Sequence, residues 1–159
     1  MAGFNYSDLE DGGKRFDFFS GSSYGPITTA VTGVTPGTGA ATGITTGVKG
    51  ATYAVFKTIF GGTVTTGTSV TAYLQTSLDG GATWTDIHVH AYANTATNKT
   101  TASCVYIAPA SQGFTGTDGS GSAGIIQGVL GDRFRLKVTS VGTYDDPGAT
   151  LKAYLILKG

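Results

Sequence analysis

Between Val70 and Ile87 the chain reads VTAYLQTSLDGGATWTDI, and no other stretch restricts the fold as much. Val70, Ala72 and Leu74 alternate with Thr71, Tyr73 and Gln75. That period of two suits a strand with one face buried. Asp79-Gly80-Gly81 then supplies a short polar side chain and the tolerance of φ > 0 that a hairpin turn demands. The chain returns through Trp84, Ile87 and Val89, with Thr83 and Thr85 on the other face of the second strand. Two strands and a tight turn are therefore expected here, with Leu74 and Trp84 in a core.

The rest of the sequence favours the same class of structure. Its 159 residues suit one domain with a real core. Gly contributes 26 residues and Thr 27, together a third of the chain. Gly costs about 1 kcal/mol against Ala in a helix, and β-branched Thr is stiff at χ1, so helices are disfavoured. Thr fits a pleated surface and Gly fits turns, which makes all-β the expected class. Charged residues are 13% and cancel to net zero, so the basic footprint of a nucleic-acid binder is missing. Cys104 is the single cysteine and cannot form an intrachain disulfide. The charges at Asp8, Glu10, Asp11, Lys14, Arg15 and Asp17 leave no signal-peptide core, and no apolar run reaches the ~18 residues of a membrane helix. Synthesis in a cytoplasm, without membrane partners, is the expectation.

Two regions are distinguished. Residues 1–25 hold six of the twenty formal charges together with Phe4, Tyr6, Phe16, Phe18, Phe19 and Tyr24. That aromatic content is too high for a disordered tail. An extended N-terminal arm is expected, docking its rings on its own domain or on a neighbouring subunit, with a helical turn at Ser7–Glu10 as a local option. Residues 26–159 carry short apolar runs broken by Gly-rich turns. Strands are expected at 27–34, 44–48, 51–60, 70–78, 83–92, 101–108, 132–141 and 149–157, the third buried on both faces, with a short helix at 123–130. About eight strands suggest an antiparallel β-sandwich of jelly-roll type. Phe56, Leu74, Trp84, Phe134, Leu136, Leu155 and Leu157 are its expected core.

Motifs with chemical content are few. Ser77 to Trp84 matches the Asp-box pattern S-x-D-x-G-x-T-W at every fixed position. In sialidases and other β-propellers this motif is a hairpin staple, so Ser77, Asp79, Gly81 and Trp84 are assigned a structural turn. One copy cannot build a propeller of at least about four blades. Sialidase chemistry needs a Tyr nucleophile with acidic partners and clustered arginines, whereas Arg15, Arg133 and Arg135 are the only arginines and Glu10 the only Glu. His88 and His90, two apart, share a strand face; an exposed face is expected, because zinc sites want three or four ligands. Gly119 to Gly124 fits G-x-G-x-x-G without the βαβ context that gives it meaning. Cys104 reads as a small core residue. No catalytic, cofactor or metal site is expected, and no enzyme. Arg133, Arg135 and Lys137 alternate on one strand and form a basic stripe, either a solvated face or a contact for an acidic partner.

The segments GVKGATYAVFKTI, VTAYLQTSLDGGATWTDI, GVLGDRFRLKVTSVG and ATLKAYLILKG, within residues 47–159, resemble small jelly-roll virion proteins of tailed bacteriophages. Many of these decorate or cement the capsid exterior, often as trimers; others are head fibres or neck and tail components. The resemblance implies a structural virion protein made in the host cytoplasm, partnered by the major capsid protein and by itself. The aromatic arm is unmatched and is the expected fastener through Phe4, Tyr6, Phe16, Phe18 and Phe19, with Arg133, Arg135 and Lys137 as the second contact. The competing expectation is a carbohydrate-binding module that offers Tyr92, Tyr106, Phe114 or Tyr144 as sugar platforms.

Overall fold

Alternation of buried and outward side chains shapes the long strands at 53–61, 133–141 and 149–158. In the computed structural model, residues 6–8, 13–19, 24–27, 44–45, 51–61, 69–93, 98–106, 130–141 and 149–159 are described. They form ten strands and no helix: β1 (Tyr6–Asp8), β2 (Lys14–Asp17), β3 (Tyr24–Ile27), β4 (Ile44–Thr45), β5 (Tyr53–Gly61), β6 (Ser69–Ser77), β7 (Thr85–Ala93), β8 (Lys99–Tyr106), β9 (Arg133–Val141) and β10 (Ala149–Lys158). Ser7 lies in a strand rather than a helical turn, and the expected helix at 123–130 lies outside the described residues except for Leu130.

All pairings are antiparallel and build two sheets. Sheet A runs β1-β2-β10-β5-β8, with β3 also on β10; sheet B runs β4-β9-β6-β7. Sheet A contributes Phe56, Phe60, Leu151, Leu155 and Leu157 to the core, and sheet B contributes Val70, Leu74, Phe134, Leu136 and Ile87. Each is at most 1% exposed. A fully buried side chain of this size is worth about 1.5–3 kcal/mol, so the space between the sheets carries the stability. The result is a β-sandwich.

Three expectations change, and one open alternative is decided. Strand β5 buries Ala54, Phe56, Thr58 and Phe60 on one face and leaves Val55, Lys57 and Ile59 half-buried on the other, so it is not buried on both. Over residues 13–19 the N-terminal segment docks on its own domain, one of the two expected alternatives: β2 lies beside β10, with Phe16 opposite Leu155. Phe16 and Phe18 are 5% and 7% exposed within the sandwich's own core, and Phe19 packs against it. The charges of β2 do not prevent this, because Arg15 and Asp17 take the opposite side of the strand from Phe16. Cys104 is exposed, since it pairs with Val55 on the outer face of sheet A. Its Sγ lies 3.4 Å from the Tyr53 hydroxyl. Trp84 is half-buried, outside the core. Phe4 lies outside the described residues.

Candidate functional site

The turn between β6 and β7 is built by side-chain hydrogen bonds. Ser77 Oγ donates to Asp79 Oδ1 at 2.7 Å and accepts from the Gly81 amide at 2.7 Å. The Thr83 amide donates to Asp79 Oδ1 at 2.8 Å, and the Thr83 hydroxyl to Oδ2 at 2.6 Å. These bonds favour the ionised carboxylate. They hold the Asp79 pKa well below the usual range, the Thr83 hydroxyl contributing most, then its amide, then Ser77. Gly80 and Gly81 have φ of 70° and 98°, as the sequence led one to expect. Thr83 is the turn residue whose weight the sequence reading missed, although it occupies a fixed position of the motif.

The entry to β9 is fastened to this turn. The Asp132 amide donates to the Ser77 carbonyl at 3.0 Å and the Gly131 amide to Thr76 Oγ1 at 2.8 Å. A Cβ on Gly131 would stand 1.9 Å from the Ser77 carbonyl oxygen, an approach only glycine permits. The anchoring aligns Arg133 with Ser77, Arg135 with Gln75 and Lys137 with Tyr73. The basic stripe and the Asp-box, remote in sequence, therefore meet on the outer face of sheet B.

Arg135 is held in place from two sides. Its Nε donates to Gln75 Oε1 at 2.5 Å, and Gln75 Nε2 donates to Asp86 Oδ1 at 2.6 Å. Its guanidinium lies 4.5 Å from the Trp84 ring centroid, a cation–π stack. Trp84 thus lies beneath the turn on the outer face, with an arginine over it, instead of inside the core. Gln75 and Asp86 are fully buried on this nominally outer face. Asp86 arrives there because β7 carries a bulge. Leu74 pairs with His88 but Gln75 with Asp86, so Ile87 is an extra residue. No simple alternation separates Asp86 from His88 and His90.

No family model, curated protein or solved structure matches the chain. The chemistry of the site therefore stands on its geometry. Outward-facing cations at Arg133, Arg135 and Lys137, about 7 Å apart along the strand, can grip carboxylates or other anions on a surface. The guanidinium held by Gln75 and Trp84 is the most rigid of them.

A second polar group lies between the sheets. His88, His90 and Tyr92 point inward rather than outward, correcting the expected exposed face. Thr58 Oγ1 lies 2.7 Å from His90 Nδ1 and also bonds the Tyr92 hydroxyl, and His90 Nε2 lies 2.9 Å from Ser103 Oγ. His90 stacks on Phe56 at 4.6 Å and Tyr92 on Phe60 at 4.8 Å. Burial, with His88 beside it, pushes the His90 pKa down to about 4; burial lowers that of His88 as well. Among the described residues no group of three or more His, Cys, Asp or Glu could hold a metal ion. Tyr92 is 2% exposed and so cannot be a sugar platform. Tyr106 is described only as a strand residue, and Phe114, Tyr144 and the glycines at 119–124 lie outside the described residues.

Proposed function

We propose that this chain is a structural virion protein of the tailed-bacteriophage type, a decoration or cement protein bound to the outer surface of the head shell. The observation that carries the reading is the nesting of the strand pairs. Strand β3 pairs with β10, β4 with β9, β5 with β8 and β6 with β7. The chain is one long antiparallel hairpin, with the Asp-box turn at its tip, wound into two sheets. Such nesting supports a jelly-roll reading, which the resemblance in residues 47–159 also implies. The small hairpin β1–β2 extends sheet A beyond the wound strands.

The attachment falls to a different place from the one the sequence suggested. Phe16 and Phe18 are committed to the sandwich's own core, which removes them as fasteners. The basic stripe of Arg133, Arg135 and Lys137 takes that part, facing an acidic patch of the major capsid protein. Cosedimentation of the purified protein with assembled heads tests the reading. Saturable binding at regular sites, weakened at least about tenfold by Arg133→Glu with Lys137→Glu, is expected. Binding to tails, fibres or glycans with no occupancy of heads overturns it and favours a fibre, neck or carbohydrate-binding role.

A further inference from the structure

Charge is unevenly shared among the described strands. They hold nine Lys and Arg residues and only three acidic ones, Asp8, Asp17 and Asp86. Mixed signs are the ordinary state of a soluble surface. The outer face of sheet A departs from that pattern. Register places Arg15 beside Ile156 and Val55, Lys57 beside Tyr154, and Lys152 beside Ile59. The aliphatic side chains there are half-buried and lie among the cations. Asp17, the one acidic side chain placed on this side among the described residues, is 7% exposed, with Oδ1 accepting the Phe19 amide at 2.9 Å. The face spans about 20 Å along the strands and about 15 Å across them.

The tip of the β6–β7 hairpin has the opposite character. Leu78 is 60% exposed, the most exposed large hydrophobic among the described residues. Beside it stand the exposed Asp79, ionised through its bonds to Thr83, and the exposed Asp132. The Arg133 guanidinium lies against Gly81, its Nη1 3.2 Å from where a Cβ there would stand, so the tip carries one cation beside its two carboxylates. An apolar knob flanked by carboxylates is the complement of an aliphatic face set with cations. The outer face of sheet A points away from sheet B, so the hairpin tip cannot reach it within one molecule.

We propose that the hairpin tip of one copy, Leu78 with Asp79 and Asp132, docks on the outer face of sheet A of a second copy, at Val55, Ile59 and Ile156 between Arg15, Lys57 and Lys152. The contact is heterologous, so successive copies add head to tail and close into a ring when the rotation permits. A polyanion such as nucleic acid is the poorer occupant, because its phosphates offer nothing to the aliphatic rows. The inference concerns copies of this chain alone and stands whether or not the capsid reading holds.

Sedimentation of the purified protein at low salt, up to about 1 mM to reach even a millimolar contact, tests it. The chain is expected to self-associate, less so in high salt. Leu78→Ser removes the apolar knob of the tip and leaves the face; Lys57→Glu with Lys152→Glu spoils the face and leaves the tip. Each variant alone is expected to be monomeric, with an unchanged far-UV spectrum, because none of the three side chains lies in the core. Mixed together, the two are expected to form dimers and nothing larger, since one complete contact is restored. A monomeric parent protein throughout this range overturns the proposal. So does a variant that still self-associates, or a mixture that stays monomeric.

Discussion

His90 is held neutral by the fold. Both ring nitrogens have hydroxyl partners, Phe56 stacks on its face, and the ring of His88 stands 5.2 Å away. The side chains facing the pair among the described residues are Phe56, Thr58, Tyr92 and Ser103, none of them acidic. An unfolded histidine titrates at about 6.5. Between there and the folded value of about 4, the unfolded chain binds a proton that the folded chain refuses. Stability is therefore complete above about pH 6.5 and falls as the pH drops through this window, by at most roughly 3 kcal/mol for His90. His88 adds to the loss in the same direction. Asp79 acts at lower pH: its depressed carboxyl stabilises the fold above the usual carboxylate range, and that contribution fades on further acidification. Denaturant midpoints measured from pH 7 to pH 4 should decline. His88→Gln with His90→Gln should flatten that decline, whereas Asp79→Asn should leave it in place. A profile already flat in the parent protein would mean that these rings are not buried as neutral groups.

Strand β2 shows how a short element can be misread. Its sequence, KRFD, has three charges around one phenylalanine and looks like part of a solvated arm. Alternation resolves the conflict, since Phe16 faces Leu155 and Phe56 while Arg15 lies over the ring of Tyr154 at 4.6 Å. Phe16→Ala should cost about 3–5 kcal/mol in equilibrium unfolding, as core phenylalanine truncations do. A loss below about 1 kcal/mol would return Phe16 to the surface and to the role of fastener. The long strands β5, β6, β7, β9 and β10 were legible as apolar and β-branched runs between turns, β9 and β10 also by a period of two, and six of the seven expected core residues are fully buried. The turn was legible because its motif is local. What stayed hidden depended on pairing partners. No local pattern reveals that β2 borrows its register from β10, that Ile87 is a bulge, or that an arginine sixty positions from Gln75 would settle over Trp84.

At the scale of the whole molecule, nesting ties the strands into one cooperative unit. Strand β10 pairs with β2, β3 and β5, so residues early in the sequence and residues near position 60 share one partner. Thermal unfolding followed through Trp84 fluorescence, which reports the outer face of sheet B, should coincide with unfolding followed by far-UV dichroism. Separate transitions would mean that the two sheets come apart independently. The same arrangement has a consequence for synthesis. β10 leaves the ribosome after the nine other strands, yet its place is in the middle of sheet A. At about 5–20 residues per second, its ten residues take roughly a second to make. For that time β2 and β5 are neighbours with a vacant lane between them, and the apolar sides of Phe16 and Phe56 face it uncovered. Until β10 is made, the growing polypeptide is exposed to aggregation along that lane, and chaperones have a clear purpose for it in that interval.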